Sequence, residues 1–192
     1  MDGVESGDRL AAMAEYGTLK AEQLARIGTR DNLLYATLAA YAAVFAAASS
    51  AAGRSGVLVA VPLVSLVLGW TYVTNDRKIT EIGGYVKDHL AGQVSANPPR
   101  GARAFAWETR HRDTAGRRRS KTVQAAVDLL AFPGGGLAAL VTLWAHGGDA
   151  PVLALSAVEV PALALLGWEV LRTARDARRP ARERATPRPE ET

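Results

Sequence analysis

Two uncharged apolar runs, Leu33 to Gly53 and Val57 to Val73, are separated only by Arg54, Ser55 and Gly56. A helix needs about 20 apolar residues to cross a hydrocarbon layer of roughly 30 Å, so this pattern predicts a transmembrane hairpin, its second arm slightly short. Two further runs, Val123 to Ala145 and Pro151 to Leu171, predict a second hairpin closed by the short turn His146 to Ala150. The expected fold is all-α: a helical integral membrane protein with four transmembrane helices and cytoplasmic helical extensions. Its predicted divisions are an N-terminal amphipathic helix over 1–32, the first hairpin over 33–73, a helix extension and basic segment over 74–122, the second hairpin over 123–171 and a basic tail over 172–192.

The polar segments carry their own periodicity. Leu10, Met13, Gly17, Lys20, Leu24 and Ile27 recur at spacings of three and four, which predicts a helix that packs one stripe on a neighbour. No proline intervenes before Leu33, so this helix is expected to enter the apolar run as one rod. After Trp70 and Tyr72, rings that favour the headgroup level, the chain turns polar at Asn75, Asp76, Arg77 and Lys78 without a helix breaker. Ile79, Ile82, Val86 and Leu90 continue the spacing toward Gln93, an interaction stripe that the N-terminal helix is placed to meet. Pro98 and Pro99 end that helix, because neither can donate to a helical ladder.

Averages conceal this alternation. With 48% hydrophobic residues and a mean hydropathy near zero, the 192 residues resemble an ordinary soluble domain in bulk. The absence of cysteine excludes a disulfide framework, thiolate metal sites and cysteine nucleophiles. Charge then sets orientation. Lys and Arg number 4 before the first run, 1 in the first turn, 11 between the second and third runs, none in the second turn and 7 in the tail. Basic residues concentrate in cytoplasmic loops, which predicts that both termini and the central segment lie inside; the abundance of Ala, Gly and Arg points to a bacterial genome and hence to the bacterial cytoplasmic membrane. The first segment lacks the short apolar core of a secretory signal.

The combination of Glu15, Tyr16, Leu19 and Lys20 before one crossing with Trp70, Asn75, Asp76, Lys78, Ile79, Ile82, Tyr85 and Val86 after the next, and Trp107-Glu108 beyond, resembles a family of small uncharacterised bacterial, actinobacterial-type, multi-pass membrane proteins. The resemblance covers about the first 110 residues. It implies the hairpin with cytoplasmic helices and brings no activity. Small two-crossing effector modules of bacterial conflict systems share the layout alone.

Candidate chemistry lies in a few places. The third run contains Asp128 and the succession Pro133, Gly134, Gly135 and Gly136, where a helix break is expected, facing other helices that satisfy the freed backbone. Counted along the rise, this succession lies roughly 17 to 21 Å from the charged end, and Glu159 roughly 18 Å from Leu171 on the returning run. An acid at mid-bilayer is a functional-site hypothesis by default. Glu159, with Asp128 and Glu169 as shallower partners, is therefore an ion or proton relay candidate. The competing structural reading keeps Glu159 protonated, donating to a carbonyl freed around Pro133. Arg117, Arg118, Arg119 and Lys121 are expected to meet anionic lipid headgroups, with Phe105 and Trp107 as surface anchors. Nucleic-acid binding would need a motif besides charge, and none is present.

No nucleophile setting, phosphate loop or metal-ligand spacing among His89, His111 and His146 is recognisable, so neither enzyme, cofactor nor metal is expected. Two functions remain. The leading one is a non-enzymatic module whose cytoplasmic helices support a homo-oligomer or bind a cytoplasmic protein; the other is a small ion or proton channel or transporter using Glu159 and the broken third helix.

Overall fold

The computed structural model describes residues 2–50, 55–90, 115–147 and 150–176, with side chains at 7–8, 10–50, 56–90, 121–147 and 150–176. All described elements are helical. They are α1 (Asp2–Ala48), α2 (Ala60–Tyr85), α3 (Ala115–Leu129), α4 (Gly135–His146) and α5 (Ala150–Asp176). A 3-10 turn, Ser55–Val59, leads into α2, and a π-helical turn, Val86–Leu90, prolongs it. A second π turn, Leu130–Gly134, joins α3 to α4. Four helical stretches, 10–48, 56–90, 121–146 and 150–176, are long and apolar enough to cross a membrane. The segments 51–54 and 91–114, with Phe105 and Trp107, and the tail 177–192 lie outside the described residues.

The expected break at Pro133 to Gly136 is instead a widening: the chain stays helical through a π turn. Proline lacks the N–H that an α turn would need, and a π turn absorbs the mismatch by shifting the ladder. Each glycine of the succession then has a separate steric reason. A Cβ on Gly134 would lie 2.9 Å from the Leu129 carbonyl oxygen, one on Gly135 2.7 Å from the Tyr41 ring, and one on Gly136 2.9 Å from Leu163 and 3.0 Å from Ser65 Oγ. The glycines therefore bring α4 against α1, α2 and α5, as small residues do between membrane helices.

α2 is the hub, packing on α1, α4, α5 and the second π turn. Its Gly69 receives Leu166 and Phe132, whose atoms would lie 2.8 and 3.1 Å from a Cβ there. Around this contact Tyr72, Val73, Ala125, Phe132, Leu166 and Val170 form one buried layer. Leu58, Leu140, Leu143 and Leu163 form another toward the turns. Gly147, at φ 72°, ends α4 in the left-handed region, where its N–H reaches the Trp144 carbonyl.

Beyond the apolar part, α1 and α2 pack antiparallel. Ile82, Val86 and Leu90 are buried against Ala12, Tyr16 and Leu19, while Ile79 is half-buried and its carbonyl accepts from Gln23 Nε2 at 3.2 Å. The α2 stripe is thus covered by the chain itself. The stripe expected on α1 is displaced: Leu10, Met13, Gly17 and Leu24 are exposed, and Ala12, Tyr16, Leu19, Gln23, Arg26 and Arg30 face α2. The inward set has the same three-and-four spacing. Its long polar members were invisible to a pattern that counts only apolarity, although they bond to α2 backbone and acids.

Adding one methyl separates these close contacts from open helix surface. Gly69→Ala should lower stability by about 1–3 kcal/mol through overpacking. Gly28→Ala, whose Cβ meets nothing within 4 Å, should raise it by up to about 1 kcal/mol through helix propensity. Thermal unfolding in detergent, read by circular dichroism, checks both signs.

Candidate functional site

The apolar run of α2 stops at Val73, and Asn75, Asp76 and Arg77 follow in succession. Consecutive helical residues point about 100° apart, so the three side chains leave α2 toward three different helices. Asn75 Nδ2 donates to the Arg26 carbonyl of α1 at 2.6 Å, and Arg26 returns a longer bond of 3.5 Å to Asn75 Oδ1. Asp76 is shared: Arg30 Nη1 of α1 lies 3.3 Å from Oδ1, and Lys121 Nζ of α3 lies 3.4 Å from Oδ2. Arg77 pairs with Glu169 of α5, whose other oxygen is 3.7 Å from Arg172 Nη1. A polar layer made by four helices thereby closes one end of the apolar bundle.

Inside this layer is a cavity of about 20 Å³ lined by Tyr72, Asp76, Lys121, Gln124, Asp128 and Thr173. That is room for about one water. Gln124 Nε2 donates to the Tyr72 hydroxyl at 3.4 Å, and Thr173 Oγ1 is buried without a hydrogen-bond partner. Lys121, Gln124, Ala125 and Asp128 share one face of α3 by their spacing of three and four. Lys121, expected at lipid headgroups, therefore points inward to Asp76. The side chains of Arg117, Arg118 and Arg119 lie outside the described residues.

Glu159 belongs elsewhere. It is 2% exposed, neither carboxyl oxygen has a hydrogen-bond partner, and ten residues of rise place it about 15 Å from Glu169. The three relay acids are thus not brought together. Nor does Glu159 serve the backbone near Pro133. That role falls to Tyr41, whose hydroxyl donates to the Ala131 carbonyl at 2.9 Å and lies 2.5 Å from Ser65 Oγ, itself 2.8 Å from the Val61 carbonyl. A tyrosine reaching across from α1 was not foreseen, because no local pattern relates positions 41 and 131. Along α5, the buried Leu163 and Leu166 lie between Glu159 and Glu169.

Compared with models of known protein families, with curated proteins and with solved structures, the chain gives no match.

Removing the shared carboxylate takes the Asp76 partner from Lys121, whose side chain is 18% exposed, and leaves Arg30, 22% exposed, with Asp31 at 3.2 Å. Asp76→Ala should destabilise the protein by about 2–4 kcal/mol, near the range for a broken buried pair. Asp76→Asn, which keeps the shape and one acceptor oxygen, should lose less. Denaturant unfolding of both variants in detergent checks the order; equal losses would show that charge rather than shape matters at position 76.

Proposed function

We propose that this chain is a non-enzymatic module of the bacterial cytoplasmic membrane, with both termini inside, which presents a rigid two-helix projection for assembly. The observation that carries the reading is the length and locking of α1. Its 47 residues extend about 70 Å, more than twice a hydrocarbon layer of ~30 Å. The portion beyond the apolar run is held against α2 by the Ala12, Ile82, Val86 and Leu90 contact and by the bonds of Gln23, Arg26 and Arg30. Tyr85 adds an exposed bond to Glu15 at 2.9 Å. On the outer side of that rod, Leu10, Met13 and Leu24 are 66%, 54% and 69% exposed. Apolar side chains on a rigid projection support association with a second copy or a cytoplasmic protein.

The assembly face therefore moves from the α2 stripe to the outer face of α1. Leu10→Glu combined with Leu24→Glu should reduce the native mass of the protein in nanodiscs to that of a monomer while leaving its thermal midpoint unchanged. Ile82→Glu, at a buried position, should lower the midpoint itself. A wild-type oligomer in the leucine double variant would defeat the assembly reading. Orientation has an independent check, since the chain has no cysteine: in spheroplasts, a single cysteine at Asp8 should resist an impermeant maleimide and one at His146 should react.

A second reading rests on Glu159 and its two unpartnered oxygens, as expected of a conduction or transport site. The wholly buried Phe132 and Leu166, packed against Gly69, weigh against a path through one copy. Loss of proton flux in vesicles on Glu159→Gln would favour transport; wild-type-like flux would remove Glu159 from it.

A further inference from the structure

Beside the closed polar layer, α2 and α5 part to form an open cleft of about 420 Å³, within the size range of ligand sites. Both helices run toward the same end of the bundle, where Arg77 meets Glu169, and both carry the same vertical order of groups. An exposed indole comes first, Trp70 on α2 and Trp168 on α5; Arg175 lies 5.8 Å over the Trp168 ring. A guanidinium follows, Arg77 and Arg172, and one turn further an acid, Glu81 and Asp176, all four lining the cleft. Four residues of rise separate the acid tier from the arginine tier by about 6 Å. Exposed tryptophans mark the boundary between hydrocarbon and headgroups.

This order repeats that of a zwitterionic phospholipid read outward from its chains: glycerol, phosphate, then amine. We propose that the cleft binds the phosphoethanolamine headgroup of a membrane lipid. The phosphate takes Arg77 and Arg172, and the ammonium donates to Glu81 and Asp176. Glu169, 11% exposed at its side chain, holds both guanidinium groups from the buried side. Lys78, 2.8 Å from Glu81 in a pair about half exposed at each partner, is a weak competitor because such surface pairs contribute little. Three carboxylates against two guanidinium groups in the cleft disfavour a headgroup of net negative charge, and a choline headgroup has no N–H to donate. The site rests on insertion of the four helices in a bilayer and is independent of the α1 assembly face.

The test uses the full chain in micelles doped equally with phosphatidylethanolamine, phosphatidylcholine and phosphatidylglycerol, with retained lipid counted by native mass spectrometry. Phosphatidylethanolamine should be retained roughly tenfold over each of the others, the factor expected from one charge-assisted hydrogen bond. Glu81→Gln with Asp176→Asn, both at exposed positions, should abolish the preference over phosphatidylcholine at an unchanged thermal midpoint. Arg77→Gln with Arg172→Gln should abolish retention of both zwitterionic lipids. Free phosphoethanolamine should displace the lipid, and inorganic phosphate should not. A preference for phosphatidylglycerol, an ethanolamine preference that survives the double acid substitution, or equal displacement by inorganic phosphate would each overturn the proposal.

Discussion

The carboxylate of Asp76 takes a cation from α1 and another from α3, and because α2 carries it, three helices must keep a common height for either pair to form. A charge withdrawn from water needs its partners close and correctly aimed. With Asn75 tied to the Arg26 carbonyl and Arg77 to Glu169, three successive residues set the positions of four helices at this end. The α1 and α2 projection grows from that layer and inherits its register, which is why Tyr85 can find Glu15 far from the bundle.

Deeper in the bundle the governing constraint is the backbone. A proline in a helix leaves polar groups that an apolar interior cannot satisfy. The chain meets this with a π turn, and with the Tyr41 hydroxyl supplied from α1 to the Ala131 carbonyl. The tyrosine needs room, and Gly135 leaves it by carrying no side chain. Gly69 does the same for Phe132 and Leu166. Polar satisfaction and close packing are thus one arrangement: the glycine that follows the π turn admits the group that reaches its backbone.

Glu159 stands apart from both arrangements, wholly enclosed and unpartnered. It shows how depth counted along a helix differs from encounter in space. Glu159 and the π turn are at comparable heights by residue rise, yet the carbonyl near Pro133 is answered by a tyrosine rather than by that acid. Similarly, Lys121 ends a basic run that reads as a lipid contact, but its place on the face of Gln124 and Asp128 turns it toward Asp76.

What the sequence by itself determined is carried by local physics. Apolar length dictates the four long helices, and three-and-four periodicity dictates that Ile82, Val86 and Leu90 share a buried face. Those signals repeat along the chain and need no knowledge of neighbours. Only the tertiary structure decided which face of α1 turns inward, which cations Asp76 receives, and that Gly134 to Gly136 join helices rather than sever one. Each of these depends on a contact between residues tens of positions apart, and polar side chains such as Gln23 and Arg30 count as inward only when the group they bond is already in place.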